Sequence, residues 1–204
     1  MQNRLIILCL LSLLALPRCG HGQTQKETVN FLGIRGPITV QKEVYQLVWS
    51  SHPDASLYKQ EYLAAGDRFP NYRSMVTIDF VLTESTVDQA VATKIRQLEG
   101  LKTTNPVVNY EVIGNKTTGD RIIDCLIGQT AADERNSLME RDVFRYKAIK
   151  LKSGQRGILL FAFSVRKYGD AIKPFLIKMK ADKPLLVSEV AKLPMPEINL
   201  AKQR

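Results

Sequence analysis

Acid–base chemistry in this sequence would depend on one histidine and a few aspartates. Of the two histidines, only His52 lies beyond the first 22 residues. Asp79 and Asp124 each fall inside an apolar run, MVTIDFVL and IIDCLI. A carboxylate beside an imidazole or a second carboxylate can act as a general acid or base. His52, Asp79 and Asp124 are therefore the candidate catalytic residues of a small hydrolase or isomerase.

Structural roles for these residues are the interpretation that we favour. His52 lies in Ser51–Asp54, where proline and aspartate are typical of a turn. Asp79 and Asp124 are expected to be salt-bridged or to face outward, because an unpaired carboxylate is rarely buried. Cys125 lies in an apolar strand, whereas a reactive thiol needs exposure and nearby positive charge. We therefore expect Cys125 to be buried and inert.

Sequence motifs for metal, nucleotide or nucleophile chemistry are absent. The sequence contains no CxxC, HExxH, GxSxG, GxxxxGK[ST] or GxGxxG. We therefore expect no metal and no cofactor, and the sequence favours a non-enzymatic binding or accessory protein over an enzyme.

Positive charge is concentrated in the second half of the sequence. Residues 23–100 carry 8 basic and 9 acidic residues, whereas residues 101–204 carry 19 and 11. Residues 140–183 alone carry 12 basic residues against 4 acidic ones. Seven of these cations belong to a predicted hairpin or its flanks, and they form the candidate anion-binding set: Arg145, Lys147, Lys150, Lys152, Arg156, Arg166 and Lys167.

Clustered cations attract anionic partners over long distances. Arg145 and Lys147 alternate with Phe144 and Tyr146, which predicts a basic outer face over an apolar inner face. In an exported protein the partner would be an anionic lipid, an anionic glycan or an acidic protein at the cell envelope, and not nucleic acid. The alternative is a solvated basic surface that binds nothing. The oligomeric state stays open.

The first 22 residues are typical of a secretory signal peptide. A short basic start, Met1–Arg4, precedes twelve apolar residues, Leu5–Leu16. Pro17 follows, and then Gly20 and Gly22 place small residues at the two positions that a signal peptidase reads. Twelve apolar residues are fewer than the roughly 20 that a transmembrane helix needs. We therefore expect cleavage after Gly22 and a periplasmic or secreted protein.

Lipid attachment at Cys19 is an alternative to cleavage after Gly22. Arg18 stands where a bacterial lipoprotein signal has a small residue, so we favour cleavage over lipid attachment. An uncleaved membrane anchor is a further alternative that we do not favour, because the apolar run is short. Removal of residues 1–22 would lower the formal charge from +9 to +7. Cys125 would then be the single cysteine, unable to form an internal disulfide.

Hydrophobic periodicity predicts four strands, a helix, four strands and a helix. Strands are predicted over 31–40, 44–50, 57–63, 75–82, 107–113, 121–127, 143–151 and 158–165, because alternation with period two is typical of half-buried strands. The first helix follows a cap at Ser85 or Thr86 and ends at Gly100. The last helix begins at Asp170, is interrupted at residues 182–184, and resumes to residue 192.

Strands joined by short turns pair antiparallel, and helices then cover their sheet. The sequence thus predicts an α+β fold with an antiparallel sheet of about six to eight strands. Its composition, with 45% hydrophobic and 24% charged residues, excludes a disordered chain and a multi-span membrane protein. The predicted organisation is a signal peptide over 1–22, one domain over 23–196 and a loose tail over 197–204.

The order of elements resembles the PsbP/Mog1-type α/β/α sandwich. The segments YQLVWSSHP from Tyr45, YKQEYL from Tyr58 and VFRY from Val143 are also similar to small exported bacterial proteins of unassigned function. The resemblance implies a fold and a compartment. It implies no active site, and nothing in the sequence points to a photosynthetic role.

Overall fold

The computed structural model describes residues 28–115 and 117–200. The predicted signal peptide, Cys19 included, lies outside these residues. Within them the chain forms one eight-stranded antiparallel sheet and two long helices, so the predicted α+β class is confirmed. No helix of the described part is long and apolar enough to cross a membrane.

The elements follow one another as four strands, a helix, four strands and a helix. The strands are β1 (Ile38–Val40), β2 (Glu43–Asp54), β3 (Leu57–Ala64), β4 (Ser74–Leu82), β5 (Asn109–Gly114), β6 (Arg121–Gln129), β7 (Leu138–Lys150) and β8 (Arg156–Tyr168). The helices are α1 (Val87–Lys102) and α2 (Ile172–Lys192), and short 3₁₀ turns occur at Glu134–Asn136 and Gly169–Ala171. The sheet order is β1-β2-β3-β4-β8-β7-β6-β5, so β4 and β8 pair at the centre.

Alternating side chains give this sheet two buried faces. One face packs against Leu186 and Val190 of α2 through residues that include Tyr62, Ile78, Phe80, Val143 and Phe161. The other face packs against Val91 and Leu98 of α1 through residues that include Ile123, Phe144 and Leu160. We call them the α2 face and the α1 face. The layers are therefore helix, sheet and helix.

Helix α1 begins where its cap residues predict. The Thr86 hydroxyl accepts from the backbone N–H of Gln89 (3.2 Å), and the Gln89 side chain accepts from the N–H of Thr86 (2.8 Å). This capping box contributes about 1 kcal/mol. The expected stop at Gly100 is wrong, because the helix continues to Lys102 and is capped by Thr103.

The turn predicted at Ser51–Asp54 is wrong, because β2 continues through these residues. The chain reverses at residues 55–56, where the Asp54 carboxylate accepts from the N–H groups of Ser56 (2.8 Å) and Leu57 (3.1 Å). β1 pairs with β2 only near its start, over Glu43–Tyr45. Pro53 therefore lies on a free strand edge, where a missing N–H donor is tolerated.

The interruption expected at Asp182–Pro184 is wrong as well, because α2 runs through Pro184. A proline inside a helix removes one backbone hydrogen bond and costs roughly 3 kcal/mol. Burial of Leu186 and Val190, two and six residues later, offsets this cost. The Arg141 guanidinium also donates to the carbonyl of Lys183, directly before the proline (2.8 Å).

The C-terminal segment after α2 packs against the N-terminal segment. Ile198 is 7% exposed, and the N–H of Asn199 donates to the carbonyl of Leu32 (2.8 Å). Of the tail predicted to be loose, residues 197–200 are therefore in contact with the core. Residues 201–204 lie outside the described part.

Candidate functional site

The three candidate catalytic residues do not meet. His52 lies on the α2 face, where its ring stacks on Tyr58 with 3.9 Å between centroids. Asp124 lies on the same face but on β6, with four strands between it and β2, and it is paired with Arg141 (2.8 Å). Asp79 lies on the opposite, α1 face and is paired with Lys59 (2.6 Å). The sheet separates Asp79 from the other two, so these residues form no acid–base centre.

Two of the seven candidate anion-binding residues are paired inside the protein. Arg145 is buried under α2 and bound to Asp120 (2.6 Å). Arg166 pairs with Glu140 and lies over the ring of Tyr72, 4.0 Å from its centroid. The predicted basic outer face of this strand is covered, because the helices lie on opposite faces of the sheet.

The other five candidates lie nearer the surface of the β7–β8 hairpin and its end. Lys150, Lys152 and Arg156 are exposed, whereas Lys147 and Lys167 are half-buried. Lys152 pairs with Glu197 at 2.8 Å, and Arg156 approaches Glu84 at 4.0 Å. Surface pairs of this kind contribute little to stability and leave most of the cationic charge accessible.

Two buried arginines that follow each other along β7 fasten α2 to the sheet. Arg141 binds Asp124 through two N–H donors, and it also donates to the Lys183 carbonyl. Arg145 binds Asp120 and donates to the carbonyls of Val190 (3.1 Å) and Leu193 (2.7 Å). A cation at the end of a helix also complements the helix dipole. These contacts fix both the position and the rotation of α2.

The fixed rotation of α2 leaves an apolar stripe in solvent. Ile177 and Leu185 are each 67% exposed, and Ala181 between them is also exposed. Residues four apart lie above one another on a helix, so these three form one line. We call it the apolar stripe. It faces away from Leu186 and Val190, the two residues that α2 buries most deeply.

Exposed lysines border the apolar stripe on both sides. Lys173 and Lys180 lie along one flank, Lys178 lies along the other, and Lys192 lies at the end of the helix. Lys178 faces Asp182 across 3.9 Å with its side chain 80% exposed. We call these four residues the lysine border. An amphipathic arrangement of this type, with its apolar side outward, is typical of a helix that lies at an interface.

A group of buried charges on the α1 face was not found from the sequence. Lys94 is 4% exposed, and its ammonium lies over the ring of Phe144, 3.9 Å from the centroid. Asp142 accepts hydrogen bonds from Ser164 (2.5 Å) and Cys125 (3.8 Å). Lys94 follows Val91 by three residues and precedes Leu98 by four, so helical spacing could have assigned it to the buried side.

Burial changes the proton affinities of this group. It raises the pKa of Asp142 and of the Cys125 thiol, and it lowers the pKa of Lys94. The Lys94 ammonium and the hydrogen bond from Ser164 partly oppose the rise in the pKa of Asp142. Cys125 is 2% exposed, as the sequence predicted. A buried thiol with a raised pKa is a poor nucleophile.

Glu61 lies at the border between this group and solvent. Burial, followed by the nearby carboxylate of Asp79, raises the pKa of Glu61 from 4.5 to about 7. Lys59 and Arg166 partly oppose this rise. Within the described residues, no three histidine, cysteine or acidic side chains gather where they could hold a metal ion.

The fold defines the class of this chain: a small α+β protein with one antiparallel sheet between two helices. A protein-family model matches residues 32–195, and the chain belongs to that family. The match spans every strand and both helices, and it assigns no activity, ligand or partner. No curated protein and no solved structure matches the chain.

Proposed function

We propose that this protein is a non-enzymatic binding module that docks on an anionic lipid surface through α2. The observation that carries the proposal is the apolar stripe: Ile177 and Leu185 are each 67% exposed between lysines. Isolated exposed apolar residues are ordinary, but a line of them bordered by cations is typical of a lipid-facing helix.

The chemistry of the two parts favours lipid over the other anionic partners. The apolar stripe can enter the boundary between headgroups and acyl chains, while the lysine border stays at the headgroup phosphates. An anionic glycan would use the lysines and leave the stripe in water. Each lysine near an anionic surface contributes about 1 kcal/mol. Binding is therefore expected to be reversible and sensitive to salt.

The contacts that hold α2 on the sheet require the apolar stripe to face solvent. Turning α2 to hide Ile177 and Leu185 would withdraw Leu186 and Val190 from the core. It would also break the hydrogen bonds from Arg145 to the end of the helix. A buried arginine left without partners costs several kcal/mol.

Vesicle sedimentation tests this proposal directly. We expect the protein to bind vesicles of phosphatidylglycerol and phosphatidylcholine, to bind pure phosphatidylcholine weakly, and to be released when salt rises about tenfold. The double variant Ile177→Ser, Leu185→Ser should lose at least about tenfold in affinity. Val112→Ser is the matched control, because Val112 is 41% exposed on β5, outside α2.

The lysine border has its own test in the same assay. Lys173→Gln with Lys180→Gln should weaken binding to anionic vesicles by about thirtyfold, the equivalent of about 2 kcal/mol. Lys42→Gln with Lys102→Gln is the control of equal charge, since both residues are exposed elsewhere. Equal losses from the two pairs would mean that net charge alone matters, and the proposal would be rejected. Binding to a soluble anionic glycan but not to vesicles would reject it too.

We propose further that the protein reaches such a surface by export. The apolar run Leu5–Leu16 and the small residues Gly20 and Gly22 before the expected cleavage site support this. N-terminal sequencing and the intact mass of the exported protein provide the test. A mature chain that starts at Gln23 supports the proposal, whereas a lipid on Cys19 or an intact leader overturns cleavage after Gly22.

The finer proposal on the fold is membership of the PsbP/Mog1-type α/β/α sandwich. Its support is that α1 and α2 cover opposite faces of one antiparallel sheet. Superposition of an experimental structure on a member of that fold would test it, and a different order of strands in the sheet would reject it.

A further inference from the structure

A cavity of about 310 Å³ opens on the α2 face of the sheet, beyond the end of α2. Its apolar lining consists mainly of Ile34, Ile38, Phe161, Leu193, Pro194 and Pro196. The charged group that lines it is Arg35. Ligand sites in proteins are commonly cavities of about 300 Å³ or more with apolar walls and a few polar groups.

Apart from residues of β1 and β8, the walls of this cavity come from the segments before β1 and after α2, and hydrogen bonds hold both segments in place. The Asn30 side chain forms two hydrogen bonds with the backbone of Ile34. Its NH₂ group donates to the Ile34 carbonyl (2.7 Å), and its oxygen accepts from the Ile34 N–H (3.2 Å). Gln60 on β3 donates to the same Asn30 oxygen (2.9 Å). Opposite, Arg145 holds the carbonyl of Leu193.

A glycine permits the close crossing of the two segments. Gly33 has φ +57°, and a Cβ atom placed there would lie 2.2 Å from the backbone oxygen of Asn199. Pro194 and Pro196 further restrict the C-terminal wall. Binding of a ligand would therefore cost little conformational entropy in these walls, so the cavity is preorganised.

The charge at the cavity determines the kind of ligand. Among the described residues Arg35 forms no ion pair. Glu197, which lies near enough for the charge of Arg35 to help lower its pKa, is bound to Lys152 at 2.8 Å. Arginine suits a carboxylate because its planar fork of N–H donors matches the two oxygens. Since a water molecule occupies about 30 Å³ in the liquid, the cavity suits roughly ten non-hydrogen atoms.

We infer that this cavity binds a small apolar carboxylate, with the hydrocarbon part against Phe161 and the carboxylate at Arg35. This site is separate from the apolar stripe and does not depend on lipid docking. Octanoate has the right size and charge, and it serves as the probe. 1-Octanol keeps a tail of that length without the charge, and acetate keeps the charge without the tail.

Isothermal titration calorimetry of the folded protein tests the inference. Octanoate should bind, while 1-octanol and acetate should each bind at least about tenfold more weakly. Arg35→Gln should weaken octanoate binding by about tenfold, because a hydrogen bond to a charged group is lost. Arg68→Gln, which removes an exposed cation in the β3–β4 loop, should leave it unchanged.

A second variant tests whether octanoate binds inside the cavity. Thr39 lines it and is exposed on β1, so Thr39→Trp should fill the space without disturbing the core and abolish octanoate binding. Absence of octanoate binding overturns the inference. Equal binding of octanoate and 1-octanol, or binding that Arg35→Gln and Thr39→Trp both leave intact, overturns it as well.

Discussion

Glu61 is the residue whose protonation should control stability near neutral pH. Its pKa rises from 4.5 to about 7 on folding, so between these values the folded protein holds a proton that the unfolded chain has released. Stability from this group is present below about pH 4.5 and is lost as the pH rises through about 7.

Glu61→Gln should remove this pH dependence. We expect the variant to be more stable than the natural protein at about pH 8 by about 2 kcal/mol, since a pKa unit corresponds to about 1.4 kcal/mol and partial exposure screens some of it. At about pH 4 the two should be equally stable. Urea unfolding at both pH values is the measurement, with Glu84→Gln, at an exposed position, as control. A gain that is the same at both pH values would contradict this account.

Among single residues, the burial of some polar groups could be predicted from the sequence, and that of others could not. The apolar run around Cys125 was enough to predict its burial. Lys94 could have been recognised by its helical spacing from Val91 and Leu98. The partners of Asp124 and Asp79 could not, because Arg141 and Lys59 come from other strands whose pairing is set by the whole sheet.

The anchoring of α2 should fail when one partner of a buried ion pair is removed. Arg145→Met leaves Asp120 buried without its cation, so we expect a loss of about 3 to 5 kcal/mol in the free energy of unfolding. Asp120→Leu combined with Arg145→Met should cost less than the sum of the two single variants, because no charge is then left buried. A double variant that costs the full sum would show no energetic coupling between the two side chains and would contradict this account.

The control for this prediction is an ion pair at the surface. Arg135 pairs with Asp133 at 2.9 Å, and the two side chains are 86% and 43% exposed. Arg135→Met should therefore cost less than about 1 kcal/mol. Urea unfolding curves of these variants, compared at one pH, separate the two kinds of pair.

Helix α1 should become more stable when its internal glycine is replaced. Gly100 lies within the helix, and a Cβ atom added there meets no other atom within 4 Å. Gly100→Ala is therefore expected to stabilise the protein by about 0.5 to 1 kcal/mol. Gly33→Ala, at φ +57°, should instead destabilise it. Thermal unfolding distinguishes the two, and a loss of stability in Gly100→Ala would contradict the prediction.

At the scale of elements, local sequence signals predicted whether a segment is a helix or a strand better than they predicted the residues at which it ends. Taken alone, Pro53 is typical of a turn, and Asp182–Pro184 is typical of the end of a helix. They were overridden because Pro53 lies on a free edge and because burial of Leu186 and Val190 continues α2. The outward position of Ile177 and Leu185 could not be predicted, since it depends on where Arg141 and Arg145 hold the helix.

At the scale of the molecule, periodicity predicted an α+β fold but not the arrangement of its strands. Adjacent strands in the sequence pair with each other in most of the sheet, as short turns imply. The exception is β4, which pairs with β8 across Ser74–Val165 to Leu82–Gly157. No local pattern reports a contact between residues so far apart in the chain.

The distribution of accessible charge could likewise be predicted only in part from the sequence. Composition located the excess of cations in residues 140–183. It could not show that Arg141, Arg145 and Arg166 are bound to Asp124, Asp120 and Glu140. The cations available to a partner are therefore those of α2 and of the hairpin end, a smaller and more localised set.

The central pairing of β4 with β8 also bears on how the chain is made. When β4 leaves the ribosome, its partner is still unsynthesised, since β8 begins only at Arg156. Until then the first four strands have an open apolar edge, which readily pairs with other chains. A fragment that ends before β8 should aggregate, and a chaperone that covers this edge would be needed longest for the first half of the protein.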